Sequence, residues 1–262
     1  MNALPVPLRI AREARVAFAS DLHLSASDPG TADMALTALH KQARGCAHLF
    51  LLGDLFEMWV GDDGADALAL RLASLLSAMA ADGTSVWLMR GNRDFLLDVQ
   101  ASQLHAATFS SRCAATLLDD PCLIDLHGVR TLLAHGDAYC TDDTVYQQWR
   151  ATCRQPAWQQ AMLSRSLAER EALGRQAREH SEAGKREQSD ALMDVNLMAV
   201  EAAMEAAHAA LLIHGHTHRP ALHRWQDAGG TERTRLVLPD WDAGAARGHV
   251  TLWQDGALLP PG

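Results

Sequence analysis

Five short polar clusters each directly follow an apolar run: Asp21-Leu22-His23, Gly53-Asp54, Gly91-Asn92-Arg93-Asp94, His135-Gly136-Asp137 and His214-Gly215-His216-Thr217-His218. Carboxylates, an amide oxygen and imidazoles make a mixed donor set. It suits a divalent ion such as Mn²⁺, Fe²⁺ or Zn²⁺ better than a thiolate site would. Asp-x-His and His-x-His each place two donors on one face of an extended strand end. A further carboxylate, Asp54, can bridge two ions, and two ions ~3.5–4 Å apart clamp the attacking and leaving oxygens of a phosphoryl transfer. Each cluster alone is common by chance, and a lone histidine is most often structural. Five in this order, each after an apolar run, point to one metal site.

The apolar runs are the elements that must position these donors. Val16–Ser20, His48–Leu52 and Ser85–Met89 read as buried strands. The spacing predicts helices over Thr31–Arg44 and Ala65–Ala81, which makes the first half an α/β sheet covered on both faces. Ligands in such sheets sit beyond the carboxyl ends of the strands, so all five clusters are expected on one rim. Pro121–Leu126 and Val129–Ala134 flank a hairpin turn at His127-Gly128. Leu211–Ile213, Ala221–Trp225, Arg235–Leu238 and His249–Trp253 complete the strands. Between them, residues 141–208 are mostly helical and too long for an ordinary crossover. They are expected to form a cap on a core made of residues 1–140 and 209–262.

Charge and composition exclude some classes. Lys and Arg number 23 against 32 Asp and Glu, a net charge of −9, which counts against a nucleic-acid partner. Hydrophobic residues at 48% and charged residues at 21% describe a folded chain of 262 residues. The five cysteines form no C-x-x-C pair and read as free thiols of a reducing compartment. No apolar stretch reaches the ~18 residues of a membrane span, and the N-terminus lacks a signal-peptide run. The expected location is cytoplasmic.

The motifs DLH, GD, GN, HGD and GHTH, in this order, resemble those of the calcineurin-like metallophosphoesterases. The resemblance spans Asp21 to His218. It implies a four-layer α/β/β/α sandwich with a helical insertion cap and two metal ions. By motif, Asp21, His23, Asp54 and His218 would hold one ion, and Asp54, Asn92, His135 and His216 the other. His214 and Asp137 would support these ligands from behind.

The third motif departs from the general pattern. Many members of the superfamily have His where this chain has Arg93. Arginine keeps its proton at neutral pH and is no general acid. It can hold phosphate oxygens and stabilise charge in the transition state. The physical inference is a leaving group that needs no proton, such as a phosphate monoester expelled from a pyrophosphate. The competing reading is that another residue supplies the proton.

GNRDF, HGDAYCTDD, MDVN and IHGHTHRP, with LFEMWVGDD after Gly53-Asp54, narrow the resemblance to the UDP-2,3-diacylglucosamine pyrophosphohydrolases of the lipid A pathway. The implied reaction is cleavage of UDP-2,3-diacylglucosamine to UMP and 2,3-diacylglucosamine 1-phosphate by metal-activated hydroxide. Two Mn²⁺ are implied, with Mg²⁺, Fe²⁺ or Zn²⁺ remaining open. So is peripheral attachment to the cytoplasmic face of the inner membrane. Asp54, Asn92, Arg93 and His135 would carry catalysis. Asn92, Arg93, Asp143, Ser181 and His216 would touch substrate, with Lys185 and Gln188 at the positions of two further contacts. The runner-up is another calcineurin-like phosphodiesterase acting on a nucleotide or nucleotide-sugar. A metal-dependent nuclease and a noncatalytic scaffold are the remaining rivals.

The cap mixes Trp149, Trp158, Met162, Leu163, Leu167 and Leu173 with Arg150, Arg154, Arg165, Arg170, Arg175, Arg178, Lys185 and Arg186. An apolar groove would receive acyl chains, and a basic rim would favour anionic lipid. The plainer reading packs the apolar residues on the core and leaves the arginines solvated. Cys140 reads as a packing residue, and Asp62-Asp63 as a charge pair at a helix N-terminus.

Overall fold

The computed structural model describes residues 8–100, 107–187 and 194–260, and of 180–187 the backbone alone. In chain order its elements are β1 (Leu8–Ile10), β2 (Val16–Ala19), α1 (Pro29–Gln42), β3 (His48–Leu52), α2 (Ala67–Ala81), β4 (Ser85–Met89), α3 (Phe109–Arg112), β5 (Thr116–Leu118), β6 (Cys122–Leu126), β7 (Val129–Leu133), α4 (Thr144–Cys153), α5 (Pro156–Leu163), α6 (Leu167–Glu187), α7 (Leu197–Ala206), β8 (Leu211–His214), β9 (Ala221–Gln226), β10 (Glu232–Val237), β11 (Thr251–Gln254) and β12 (Ala257–Leu258).

The strands form two six-stranded sheets, ordered β12-β11-β2-β3-β4-β5 and β1-β6-β7-β8-β10-β9. Alternate residues of each central strand face opposite ways and both faces are buried, which is why these runs are continuously apolar. Ala17, Leu49, Leu51, Val86 and Leu88 pack under α1 and α2. Val16, Phe18, Phe50, Leu52 and Met89 face the other sheet, where Leu133, Leu211, Ile213 and Leu236 meet them. Phe18 stacks on Phe50 with ring centroids 5.2 Å apart. The far face of the second sheet buries Leu132, Ala134 and Leu212 against Val200 and Met204 of α7. The result is four layers, α/β/β/α. Asp28 caps α1 and Asp66 caps α2 through their side chains. The hairpin between β6 and β7 turns at His127 (φ 56°) and Gly128 (φ 88°), the two left-handed residues that a type I′ turn requires.

Two expectations change. The clusters do not share the rim of one sheet. Those after β2, β3 and β4 belong to the first sheet, and those after β7 and β8 to the second. Both groups lie at the carboxyl ends of parallel strands, because β2-β3-β4 and β7-β8 are each parallel. The second change concerns α7. It is the covering layer of the second sheet, since Val200 and Met204 are buried there, so α7 packs on the sandwich although it lies within residues 141–208. Helical spacing shows that a helix has an apolar face, not which sheet the face covers.

The segment containing α4, α5 and α6 is tied to the core by both apolar and ionic contacts. Met162 and Leu163 are buried in the core cluster with Trp59 and Leu97. Arg170 of α6, only 2% exposed, reaches the loop after β3. Its guanidinium pairs with both Asp63 oxygens and donates to the Val60 carbonyl at 2.6 Å. Asp62 accepts from the Trp59 indole and from the backbone N–H groups of Asp98 and Phe109. Asp62-Asp63 is therefore an anchor for two other segments and not a helix-start charge pair. Removing one partner of a buried pair costs roughly 3 kcal/mol or more. Arg170→Met is expected to lower stability by about that amount and to expose α4–α6 to protease. Denaturant unfolding and limited proteolysis read both effects; wild-type values for both would show that the pair does not hold the segment.

Candidate metal centre

The donors sit where the backbone leaves its strands, and it does so in the left-handed region. Asp21 has φ 52°, His23 45°, Asp54 52°, His216 67° and His218 55°. This corrects the extended strand ends read from the D-x-H and H-x-H spacing. Such backbone costs of order 1 kcal/mol or more for a residue other than glycine and persists where its surroundings over-determine it. Here the parallel pairing continues into the loops. Asp21 N–H donates to the Gly53 carbonyl (3.0 Å), His23 N–H to Asp54 (3.0 Å) and Gly215 N–H to His135 (2.9 Å). Close approach also demands small residues. A Cβ on Gly91 would collide with Asp54, and one on Gly215 with Asp21 and Ser20.

Two clusters result. Asp21, His23 and His218 converge, as do Asp54, His135 and His216, the donor atoms of each set lying within 4.8 Å of one another. His23 Nε2 is 3.2 Å from His218 Nε2 and 3.8 Å from Asp21 Oδ1. On the other side, His135 Nε2 is 3.0 Å from Asn92 Oδ1 and 3.6 Å from Asp54 Oδ1. The second oxygen of Asp54 lies 3.8 Å from His23 Nε2. Asp54 thus faces both clusters, one oxygen to each. Two ligands held ~2.0–2.2 Å from one ion lie roughly 3 to 3.5 Å apart; the pairs at 3.0 and 3.2 Å meet that spacing, and those at 3.6 and 3.8 Å are slightly wider.

Behind the imidazoles stand partners that aim them. His23 Nδ1 is 2.8 Å from Glu57, and His218 Nδ1 is 3.4 Å from Asp240, itself held by the Arg247 fork. His135 Nδ1 donates to the Leu52 carbonyl at 2.9 Å. Each contact turns Nε2 toward the cluster, the tautomer a metal ligand needs. Asp94 accepts from the backbone N–H groups of Gly91, Asp54 and Leu55 and fixes two of the loops together. Burial and the neighbouring Asp54 raise its carboxyl to about 6. Burial opposes the charged form of His135, yet Asp54, Asp21, Asp137 and Asp120 carry its imidazole up to about 9. Asp21 lies well below the usual carboxylate range despite burial, because His218, His135 and His23 surround it. Asp54 contributes to raising both Asp94 and His135, and a cation bound beside it would offset that local negative charge.

Asp137 does more than support His135. Its Oδ2 accepts from Tyr146 OH (2.6 Å), Arg150 (2.9 Å) and Arg154 (3.1 Å). Arg154 also reaches the Gly91 carbonyl at 3.2 Å. With Arg170 on Asp63 and Arg178 on Glu57, four of the eight basic residues named for the rim face core acids. His214 is buried, which pulls its imidazole down to about 4 and keeps it neutral. Burial pushes the Cys140 thiol up to about 12, which leaves no thiolate for nucleophilic attack.

The structure brings together Asp21, His23, Asp54, Asn92, His135, His216 and His218. Arg93 lies on the same rim, its N–H donating to Asp54 Oδ1 at 2.8 Å. Asp143 is the N-cap of α4, accepting from the Tyr146 N–H at 2.9 Å. Ser181 and Lys185 belong to α6, in the stretch whose side chains lie outside the described residues, and Gln188 lies outside them altogether. The motif reading gave Glu57, Asp94 and Asp240 no role, although Asp94 lies in the third cluster and Glu57 in LFEMWVGDD.

Two facing sheets with a shared aspartate between two Asp/His clusters define a metal-dependent phosphoesterase. Residues 14–220 match the family model for calcineurin-like phosphoesterases, and the chain belongs to that family. Curated relatives carry the name UDP-2,3-diacylglucosamine hydrolase. The one from Chromobacterium violaceum is 48% identical over 94% of this chain and 98% of its own. That from Marinobacter nauticus is 43% identical over 86% and 88%, and that from Stenotrophomonas maltophilia 45% identical over 86% and 90%. Divalent ions fit the donor sets present, because carboxylate oxygens and imidazole nitrogens converge in two clusters.

Proposed function

We propose that the protein hydrolyses the pyrophosphate bond of UDP-2,3-diacylglucosamine to UMP and 2,3-diacylglucosamine 1-phosphate in lipid A biosynthesis. The observation that carries this is the sustained identity to hydrolases of that name, which extends over nearly the whole chain. Asp21, His23, Asp54 and His218 would hold one ion, and Asp54, Asn92, His135 and His216 the other, with Mn²⁺ the proposed metal. When bound, the ions supply activation of water and neutralisation of charge at phosphorus. Asp54 fixes the two clusters against each other. Arg93, held beside Asp54 through its own backbone, would take the phosphate oxygens that gain charge as the bond breaks. No imidazole stands at that position, and a departing phosphate needs no proton.

Residues α4–α6 are proposed to receive the acyl chains. Phe95, two residues after Arg93, meets Trp158 with centroids 5.8 Å apart, and Trp158 meets Trp149 at 5.3 Å. Trp149 is 42% exposed and Val145 75%. An aromatic ledge thus leads from the third cluster to open surface, which suits an aliphatic chain. No helix of the described residues is long and apolar enough to cross a membrane; the proposed location is peripheral, on the cytoplasmic face of the inner membrane. Asp143, Ser181, Lys185 and Gln188 remain proposed substrate contacts.

The test compares UDP-2,3-diacylglucosamine in mixed micelles with UDP-N-acetylglucosamine, with Mn²⁺ present. UMP is expected from the acylated compound and not from the other. Equal turnover of both would favour a general nucleotide-sugar phosphodiesterase.

A further inference from the structure

Glu57 occupies a junction to which the motif reading gave no role. It lies in the loop after β3, three residues beyond Asp54, with its side chain 17% exposed. Its two oxygens have different duties. Oε2 faces His23 Nδ1 at 2.8 Å. Oε1 faces two guanidinium groups, Arg178 Nη2 at 2.8 Å and Arg93 Nη1 at 3.4 Å. These partners come from three places: the loop after β2, the loop after β4, and α6 of the segment standing over the core. The backbone is fixed as well, since Glu57 N–H donates to the Leu24 carbonyl at 3.1 Å.

Two physical consequences follow. A carboxylate on Nδ1 locks the His23 tautomer, aims Nε2 at Asp21, Asp54 and His218, and makes that nitrogen more basic. The same carboxylate holds two like-charged guanidinium groups next to each other, an arrangement that costs energy unless an anion lies between them. Two such groups side by side, next to a metal centre, form a prepared seat for a phosphate group.

We propose that Glu57 is a positioning residue that sets His23 for the metal and holds Arg93 of the core and Arg178 of α6 together as one phosphate-binding pair. Metal loading and the seating of α6 over the site are then governed by one side chain. The phosphate half rests on the proposed function; the metal half does not.

The experiment titrates Mn²⁺ into metal-free wild type, Glu57→Gln and Arg178→Gln by calorimetry, then measures KM and kcat for UDP-2,3-diacylglucosamine. Loss of a carboxylate behind a ligating histidine typically weakens metal binding by ~10–100-fold. Glu57→Gln is expected to show roughly a tenfold or larger loss and a raised KM. Arg178→Gln leaves the His23 contact in place. It should bind Mn²⁺ within about twofold of wild type while raising KM more than it lowers kcat. Wild-type Mn²⁺ affinity in Glu57→Gln overturns the metal half, and a wild-type KM in Arg178→Gln overturns the phosphate half. Should Glu57→Gln not fold, Arg178→Gln still decides the second half, and Glu57→Asp, which keeps the charge, decides the first by an intermediate affinity. A protein inert toward the acylated substrate would refute the substrate reading and leave the Mn²⁺ titration to decide Glu57.

Discussion

Asp54→Asn is expected to abolish most turnover while leaving the metal-free protein as stable as wild type, or more so. The backbone at this position is left-handed, with φ 52°, and asparagine tolerates that region better than alanine does. The side chain keeps its shape, so the Arg93 N–H at 2.8 Å still finds an oxygen. What is lost is the charge that faces both clusters, 3.6 Å from His135 and 3.8 Å from His23. Removing one well-placed electrostatic group from an active site commonly costs ~10²–10³ in kcat, and a group shared by two ions belongs at the upper end. Burial and then the neighbouring Asp54 charge raise the Asp94 carboxyl in the metal-free protein, so Asp54 and Asp94 repel each other. Taking one charge away relieves that repulsion, the familiar exchange of stability against activity at a functional site. Steady-state kinetics with Mn²⁺ and thermal unfolding without it test both parts. A kcat within tenfold of wild type would show that Asp54 does not bridge the centre.

Arg93→Lys is expected to lose about 10² in kcat on UDP-2,3-diacylglucosamine and far less on bis(p-nitrophenyl) phosphate. Lysine keeps the charge but not the planar fork. Its ammonium would still be drawn to Glu57, 3.4 Å from the native guanidinium, without spanning two phosphate oxygens. In the proposed pyrophosphate reaction the departing phosphate would gain charge beside this residue, so the fork should matter most there. A p-nitrophenolate spreads its charge over its own ring and needs less help. Equal losses on both compounds would place Arg93 in the binding of the attacked phosphate instead.

The convergence of the candidate ligands was legible because its information is local. Each donor follows an apolar strand, and residue types such as those of Asp21-Leu22-His23 carry their own chemistry. The four layers were legible only through the resemblance, because the alternation of Ala17 and Phe18 shows two buried faces and not what covers each. The residues that aim the ligands were not legible. Glu57 meets His23 from 34 positions away, Asp240 meets His218 from 22, and Asp63 meets Arg170 from 107. A lone acid at such a separation leaves no periodic trace. The left-handed turns at Asp21, His23 and His218 were hidden for another reason: none is a glycine, and their backbone is imposed by pairing between loops of different strands. Strands of two or three residues, such as β1, β5 and β12, are too short to show alternation.

The central claim is that this chain breaks a pyrophosphate bond at the paired Asp/His clusters by attack on the uridine-side phosphorus. The most direct measurement hydrolyses UDP-2,3-diacylglucosamine in oxygen-18 water with Mn²⁺ and locates the label in the products by mass. One labelled oxygen in UMP, with none in the lipid phosphate, is the predicted result, and Asp54→Asn should suppress it. Label in the 2,3-diacylglucosamine 1-phosphate would contradict the direction of attack, and with it the assignment of Arg93 to the departing phosphate.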